Sequence, residues 1–545
     1  MKIAHIYIKK YKILNEINIP INAEHDCNFN HGCIEINKKE KDLVPEKYYD
    51  EISLSAVIGE NGVGKSTLLE FIEASFSYVN GSGIIVWHDP DSGYLIHVYN
   101  MNVKQVNNTS QFPHEIYYLY ETTLFKENVK VIKINNLPSP TGESKNKKSR
   151  HVKNIPLSKI EINTKDRFLR TYTYLLHNPR GNKLKGSQAS FEFIFNHHNL
   201  NDIIELNNKY NIKRGNSNSY VVNKIDKIFS YKYESTNTID EIIDQILDAT
   251  CLSTLKSLVS GLKYESSELN MHLIELISSY LNNRSYGVEN ANQSFELCLK
   301  GLNKNSISEK LLENYIYGFR SLSYLLENKI IFKKNNIESI VIEDERITVK
   351  TESAEEAYRG VKHLDAIPRV IKHNISYGWK GFSSGEYALI KFFCELEAAV
   401  LKLQKKTKSF IFIIDEVDLY LHPEWQREFI DELIEHLASL RINMKSQVIL
   451  TTHSPIIISD FLSENIVALN KNNSGQVEKI SSSGFGTPIS ELYIDGMHLS
   501  STFGSRSKRY IDDIIESRDN LDEFQKKLIE KIKSKNIRLM LGASQ

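Results

Sequence analysis

The sequence predicts an α/β fold in which a mixed sheet with flanking helices carries a phosphate-binding loop. Three stretches support this prediction. SLSAVIGENGVGKSTLLEFI at 53–72 passes from an apolar strand through a glycine loop into a helix, the context that such a loop needs. FIFIIDE at 410–416 and SQVILTTHSP at 446–455 are apolar strands that end in polar side chains, as buried parallel strands do where a ligand binds.

The predicted α/β fold is divided into two lobes by a long stretch of different character. Mostly helical spacing begins after residue 138, and strand patterns return near residue 340. We therefore expect an N-terminal lobe at 1–137, a large mostly helical insertion at 138–350, a C-terminal lobe at 351–480 and a helical tail at 481–545.

The N-terminal lobe is predicted to be rich in strands. Residues 2–21 and 33–37 alternate as strands do, and HDCNFNHGC between them predicts a hairpin turn. The alternative for this stretch is a metal site at a spacing that no usual structural zinc site has. Its ligands would be His25, Cys27, His31 and Cys33. The runs GIIVWH, YLIHVY, EIYYLY and VKVIKI between 81 and 136 predict a small antiparallel addition to the core.

The insertion opens with PSPTGESKNKKSRHVKN, a polar and basic stretch that predicts an exposed loop from Pro138 onwards. Two capping boxes then predict helix starts, one formed by Thr238 with Glu241 and one by Ser306 with Glu309. IESIVIEDERITVKT returns to strand spacing before the second lobe.

Composition sets limits on the partners. Lys plus Arg and Asp plus Glu both number 68, so no overall charge attracts nucleic acid or a membrane, and such binding requires a local patch. The N-terminus lacks the apolar core of a signal peptide, and no apolar run is long enough to span a bilayer. Five scattered cysteines do not form a disulfide framework. We expect a cytoplasmic protein without a membrane partner.

The glycine loop fits G-x-x-x-x-G-K-[ST] at every fixed position. The glycines let backbone N–H groups approach phosphate oxygens, the lysine neutralises the β- and γ-phosphates, and the serine hydroxyl suits Mg²⁺. The nucleotide-binding residues are expected to be Gly59, Asn61, Gly62, Gly64, Lys65, Ser66 and Thr67.

The two other apolar strands end in candidate catalytic groups. Asp415 suits a residue that holds Mg²⁺ through one of the ion's own ligands, and Glu416 suits the base that orients the attacking water. His453, beside two hydroxyl residues, could reach a γ-phosphate. The alternatives are a solvated pair of capping acids and a structural histidine.

A fourth stretch, GFSSGEYALIKFF at 381–393, places small residues before a helix. Such a turn is either a second anion site at a helix N-terminus or a simple helix cap. The residues concerned are Ser383, Ser384, Gly385 and Glu386.

Together these motifs resemble the ABC-type ATPase head of SMC, RecF and OLD-like proteins. GENGVGKS resembles its Walker A, FSSGE its signature motif, FIFIIDE its Walker B, Asp418 its D-loop acid and His453 its switch histidine. LHPEWQ at 421–426 is similar to a segment of the RecF/OLD-like branch. Ser384 departs from the glycine of the signature pattern. Gln111 and Asn135–Asn136 are both candidates for the Q-loop.

The resemblance implies an ATPase that binds ATP and Mg²⁺ and forms a head-to-head dimer, in which each signature motif contacts the nucleotide of the opposite subunit. Lys65, Glu416 and His453 would then be catalytic, and Ser66 and Asp415 would hold the metal. ATP would be part of the interface, so hydrolysis would act as a switch and turnover would be slow.

The tail, GFGTPISELYIDGMHLSSTFGSRSKRYIDDII, resembles that of the PtuA family, stand-alone anti-phage defence ATPases of Septu and retron systems. This resemblance implies a separate HNH-type nuclease (PtuB) as effector and, in a retron, a reverse transcriptase with its RNA–DNA hybrid. The stretch after His453 is too short for a Toprim nuclease, which agrees with an effector on another chain.

Three other functions remain open. The main one is a RecF-like DNA-repair or maintenance ATPase that clamps DNA itself, for which the basic run would bind phosphates. That run contains Lys145, Lys147, Lys148, Arg150 and Lys153, and its alternative is a solvated loop. The second is a nucleotide-gated scaffold that does not hydrolyse ATP, which the intact motif residues disfavour. A transporter subunit is disfavoured by the large insertion and by LHPEWQ.

Overall fold

The computed structural model describes residues 1–39, 43–77, 79–118, 129–135, 151–157, 170–171, 174–175, 190–196, 205, 238–260, 266–285, 290–300, 308–331, 339–343, 346–351, 354–372, 374–416, 418–419, 421–442, 446–496, 501, 503–517 and 520–541. Contacts divide the chain into unit 1, residues 1–159 and 398–545, and unit 2, residues 160–397. These boundaries differ from the expected ones at 138 and 350. In the described ranges, no helix is both long enough and apolar enough to cross a membrane.

Nineteen strands are formed by the described residues. They are β1 (Lys2–Tyr11), β2 (Leu14–Pro20), β3 (Asp26–Asn30), β4 (Cys33–Asn37), β5 (Ser53–Gly59), β6 (Ser82–Asp89), β7 (Gly93–Tyr99), β8 (Gln105–Asn108), β9 (His114–Tyr118), β10 (Val129–Asn135), β11 (Val152–Pro156), β12 (Ser190–Asn196), β13 (Ile340–Glu343), β14 (Arg346–Thr351), β15 (Ile375–Lys380), β16 (Ser409–Asp415), β17 (Ser446–Thr451), β18 (Ile466–Lys471) and β19 (Val477–Ile480).

The α-helices of the described part of the chain are α1 (Leu43–Tyr48), α2 (Lys65–Ala74), α3 (Ile239–Ser260), α4 (Ser266–Ser285), α5 (Ala291–Lys300), α6 (Glu309–Glu327), α7 (Ala354–Ala366), α8 (Arg369–Lys372), α9 (Ser384–Leu403), α10 (Pro423–Ser439), α11 (Pro455–Ile458), α12 (Ile489–Glu491), α13 (Ser505–Glu516), α14 (Glu523–Lys531) and α15 (Lys535–Met540). The tail contains helices α13 to α15, which pack around a small core of Ile514, Ile529 and Leu541.

A seven-stranded sheet forms the core of unit 1, in the order β11-β10-β16-β17-β5-β18-β19. The first six strands run parallel, and β19 pairs antiparallel with β18. Ile414 pairs with Leu450, and Leu450 with Ala56, so the three motif strands end at one edge of the sheet. The predicted fold class, a mixed sheet with flanking helices and a P-loop, is confirmed.

The second large sheet of unit 1 has the order β2-β1-β6-β7-β9 and contains three of the four runs predicted as an antiparallel addition. The antiparallel prediction is wrong for EIYYLY, because its strand β9 pairs parallel with β7. It is also wrong for VKVIKI, because this run is β10 and pairs parallel with β16 in the core sheet. The predicted loop also needs correction at its end, since Val152–Pro156 forms β11 beside β10. Residues 138–150 of that loop lie outside the described residues.

The short hairpin predicted near the N-terminus is confirmed. β3 pairs antiparallel with β4, and β4 pairs parallel with β8. The chain turns at His31 and Gly32, whose φ angles of 48° and 88° are the left-handed values that a tight two-residue turn requires.

One buried polar side chain joins the two large sheets of unit 1. Gln447 lies inside β17, where its Oε1 accepts a hydrogen bond from the Ile3 N–H at 2.7 Å and its Nε2 donates to the Ile3 carbonyl at 2.8 Å. The amide thus pairs with a strand of the neighbouring sheet as a backbone unit would, which explains a glutamine with no exposed surface.

Unit 2 is mostly helical but also contains a sheet that the sequence analysis did not foresee in full. The order is β13-β14-β12-β15, antiparallel throughout. β13 and β14 were predicted, whereas β12, which contributes Phe191, Phe193 and Phe195 to the core, was not. Helices α3 to α8 and the other three strands of the sheet supply most of the remaining core residues.

The two predicted capping boxes have different outcomes. The Thr238 N–H donates to Glu241 at 2.9 Å and the Glu241 N–H to the Thr238 hydroxyl at 3.3 Å, so the first is confirmed. The second is wrong, because α6 begins at Glu309 with Ser308 as N-cap. The partner assigned to Glu309, Ser306, lies outside the described residues. A carboxylate in the first helical turn is favourable there without the box.

We expect unit 1 to lose stability as the pH falls below 6.5. Burial lowers the pKa of His5 and His88 to about 4 and of His25 and His97 to about 3, from 6.5. Below pH 6.5 the unfolded chain binds protons at these histidines, whereas the folded protein does not. Each histidine therefore lowers the free energy of unfolding by about 1.4 kcal/mol per pH unit between its unfolded and folded pKa values. Urea midpoints at several pH values measure this loss.

The matched variant for this prediction is His97→Phe, because the imidazole packs near Trp87 and Tyr117 without a hydrogen bond to Nδ1 in the described residues. A phenylalanine keeps the ring contacts and removes one titrating group. The pH dependence should therefore become shallower. Identical slopes for the variant and the wild type would contradict the assignment of His97.

Candidate nucleotide-binding site

The glycine loop follows β5 and leads into α2, as the motif requires. Gly59 has a φ of 140°, and a β-carbon there would collide with the carbonyl oxygen of Leu469. Gly64 caps α2 with a φ of 102°. Both positions therefore exclude other residues on conformational grounds. Asn61 and Gly62 are exposed in the loop, and Thr67 lies in the first turn of α2.

Lys65 lies over the loop and is buried, with only 7% of its surface exposed. Its Nζ donates to the carbonyl oxygens of Gly59 at 2.8 Å and Glu60 at 3.1 Å. Burial lowers the pKa of the ammonium, while the negative charges of Glu416, Asp415 and Asp418 oppose that shift. The cation is thus positioned for an anion that arrives at the loop.

Two oxygen ligands of the kind that Mg²⁺ prefers lie together beside the loop. Ser66 Oγ is 3.3 Å from Asp415 Oδ1, across the ends of α2 and β16. A hydroxyl and a carboxylate, with water and phosphate oxygens completing the shell, fit this hard cation. The residues present therefore fit the metal that the sequence analysis assigned to them.

Glu416 follows β16 in an unusual backbone conformation, with a φ of 53°. Its N–H donates to the Thr451 hydroxyl at 2.8 Å. Burial raises the pKa of the Glu416 carboxyl, and the charges of Asp415 and Asp418 raise it further against the opposing effect of Lys65. A raised pKa brings the carboxylate closer to what a general base at neutral pH needs.

The residues that follow β17 are hydrogen-bonded to Asp418. Asp418 Oδ1 accepts hydrogen bonds from the Thr452 hydroxyl at 2.7 Å and from the His453 N–H at 3.2 Å. Burial lowers the pKa of the His453 imidazole, and Lys65 lowers it further, against Asp418 and Asp415. These effects favour the neutral ring, which can donate one hydrogen bond to a phosphate oxygen.

LHPEWQ forms the start of α10, with His422 as N-cap and Pro423 at the first position. Gln426 Nε2 donates to the Leu421 carbonyl at 2.8 Å, and its Oε1 accepts from the Ser454 hydroxyl at 2.6 Å. The glutamine thus connects the start of α10 with the residue that follows His453. Spacing alone gave no indication of this contact.

The signature-like stretch forms a helix cap at the start of α9. The Ser383 N–H donates to Glu386 at 2.7 Å, and the Glu386 N–H donates to the Ser383 hydroxyl at 3.2 Å. Ser383 and Ser384 are exposed, while Gly385 is buried. These residues belong to unit 2, so the cap is a property of that unit alone. The assignment of an anion site to them stays a prediction.

The structure distinguishes the Q-loop candidates. Asn135, the last residue of β10, pairs with Asp415 in the parallel register, whereas Gln111 lies between β8 and β9, which belong to other sheets. Asn136 is outside the described residues. Among the described residues, no three His, Cys, Asp or Glu side chains are grouped to hold a metal ion.

The chain is similar in sequence to several known proteins. Septu protein PtuA of Bacillus thuringiensis is 34% identical over 118 residues, 21% of this chain and 28% of the relative. The "Retron Vc95 probable ATPase" of Vibrio cholerae serotype O1 biovar El Tor is 27% identical over 161 residues, 28% and 30% of the two chains. The "Retron Ec83 probable ATPase" of Escherichia coli is 30% identical over 121 residues, 21% of each.

These matches confirm the predicted resemblance to defence ATPases, and each spans less than a third of the relative's length. The Smc head domain of Pyrococcus furiosus, solved with an extended coiled coil and bound to the C-terminal domain of ScpA, aligns over 88% of this chain and 96% of its own at 10% identity. Its TM-score of 0.25 is too low to support any conclusion. The AAA ATPase domain model AAA_15 matches residues 1–458, and the chain belongs to this family.

Proposed function

We propose that this protein is an ATPase that pairs head to head around ATP and controls a separate HNH-type nuclease in anti-phage defence. The observation that carries the ATPase part is the contact of Ser66 with Asp415 at the sheet edge where Glu416 and His453 also lie. The defence part is supported by relatives named for Septu and retron systems.

Each site residue has a separate role in ATP hydrolysis. Lys65 and the loop N–H groups bind the β- and γ-phosphates, and His453 donates to a γ-phosphate oxygen. Glu416 accepts a proton from the water that attacks the γ-phosphorus, while the bond to the β-phosphate oxygen breaks and ADP leaves. Mg²⁺, held by Ser66 and Asp415, would neutralise charge between the phosphates.

Pairing is supported by the exposure of the α9 N-terminus. Ser383 and Ser384 face solvent at the start of a 20-residue helix. In the ABC-type arrangement, this turn contacts the nucleotide of the second subunit, so ATP contributes to the interface and its hydrolysis weakens it. Hydrolysis is then a slow regulatory step, and the nuclease, or a reverse transcriptase with its hybrid, is a further partner.

Co-purification from the native operon tests the proposal. The chain, expressed with its neighbouring genes and purified in ATP and Mg²⁺, should retain a nuclease that mass spectrometry identifies. The control is the same preparation with Lys65→Ala. If a nuclease is bound only by the wild type, the nucleotide controls the assembly.

A protein that purifies alone and gains DNA when ATP is added would contradict the proposal and support a RecF-like clamp. Lys153, exposed in β11, is the described member of the basic run that such a clamp would use. The others lie outside the described residues. A clamp should lose affinity steeply with salt, because each phosphate contact releases counterions.

A further inference from the structure

The Thr451 hydroxyl lies where it can form hydrogen bonds with both Asp415 and Glu416. It is the last residue of β17, between β16 and β5 in the core sheet, and none of its surface is exposed. Val57 is its partner on β5. The side chain therefore has little freedom to move, and its contacts are set by the strand that carries it.

The hydroxyl forms one hydrogen bond as donor and one as acceptor. Thr451 Oγ1 donates to Asp415 Oδ1 at 2.6 Å and accepts from the Glu416 N–H at 2.8 Å. The first contact orients the carboxylate that faces Ser66. The second holds the main chain of the residue whose carboxylate is the proposed base.

This second contact occurs where the strand ladder ends. The pairing of β16 with β17 stops at Ile414 and Leu450, and Glu416 then adopts a φ of 53°. A left-handed conformation in a non-glycine residue is of order 1 kcal/mol less favourable and persists only where surrounding contacts hold it. The hydroxyl replaces the backbone acceptor that the strand no longer supplies.

We propose that Thr451 is a positioning residue that holds the metal ligand Asp415 and the base Glu416 in their working geometry. It acts through these two residues and not on the nucleotide itself. Loss of its hydroxyl should impair the metal site and the hydrolytic step more than nucleotide binding. The proposal rests on the proposed ATP hydrolysis and adds a residue that no motif assigns.

Three variants test it. Thr451→Val keeps the shape and removes the hydroxyl, Thr451→Ser keeps the hydroxyl, and Thr254→Val is the control. Thr254 is equally buried, and its hydroxyl donates to the Thr250 carbonyl at 2.6 Å within unit 2. Turnover, ATP affinity and Mn²⁺ affinity are measured, the last by electron paramagnetic resonance with a non-hydrolysable ATP analogue.

Removing an outer contact to a metal ligand reduces metal affinity or activity by about 10- to 100-fold. Thr451→Val should show such a loss in turnover and in Mn²⁺ affinity with ATP affinity retained, and Thr451→Ser and Thr254→Val should match the wild type. If the valine variant does not fold, Thr451→Cys replaces it, because a thiol is only a weak donor. This variant should show smaller losses of turnover and Mn²⁺ affinity, again with ATP affinity retained.

Three results would overturn the proposal. They are unchanged turnover and Mn²⁺ affinity in Thr451→Val, an equal loss in Thr451→Ser, and a parallel loss of ATP affinity, which would indicate a general packing effect. If the wild type hydrolyses no ATP, the proposed function fails, but Mn²⁺ affinity still decides whether Thr451 positions Asp415.

Discussion

Replacing Lys65 by alanine should weaken ATP binding by at least about 30-fold, because truncation of one member of a buried charge pair costs 2 kcal/mol or more. The ammonium is the cation that faces the acids Asp415, Glu416 and Asp418. Without it, their negative charge acts directly on the incoming phosphates. The Gly59 and Glu60 carbonyls also lose their donor. Fluorescence titration with a labelled ATP analogue measures the change.

The control for this variant is Lys527→Ala. This lysine is exposed on α14 and pairs with Glu523 one turn away, so its loss removes the same charge from the protein at a surface site. ATP affinity should not change. If Lys65→Ala binds ATP as tightly as Lys527→Ala does, the assignment of the glycine loop as the nucleotide site is wrong.

The parts of the fold that could be predicted are those with a local signal. Each motif strand, β5, β16 and β17, is a short apolar run that ends in polar residues, and their adjacency follows from that shared pattern. The capping box at Thr238 is equally local, since its two hydrogen bonds join residues three apart.

The parts that could not be predicted depend on distant partners. VKVIKI has the same spacing whether it pairs antiparallel with a neighbour or parallel with β16, and only the tertiary fold selects β16. β11 follows β10 into the core sheet for the same reason. β12 alternates clearly, but its partners β14 and β15 come far later in the chain.

The side-chain contacts that sequence reasoning missed share one property. Thr451 and Gln426 near the site, and Gln447 at the other end of β17, have ordinary side chains whose importance comes from the contacts that folding gives them. A hydroxyl at a strand end is a weak signal, because threonine is common in strands. Motifs identify the groups that meet the substrate, whereas the groups that hold them in place need coordinates.

Glu416→Gln should reduce ATP turnover by about 100-fold or more, the range in which loss of a general base lies. The amide has the size of the carboxylate, so the backbone at φ 53° and the hydrogen bond to Thr451 can remain. ATP binding should be retained, because the variant keeps Lys65 and removes one negative charge that would repel the phosphates. Single-turnover hydrolysis measures the loss, and unchanged turnover would show that another group is the base.

The same variant should accumulate as an ATP-bound dimer, since hydrolysis no longer breaks the interface. Light scattering after gel filtration with ATP and Mg²⁺ measures the mass. Adding Ser384→Arg should return the double variant to a monomer that still binds ATP. Ser384 suits this test better than Ser383, because the Ser383 hydroxyl caps α9 and its loss would also weaken the helix. A double variant that still dimerises would exclude the α9 N-terminus from the interface.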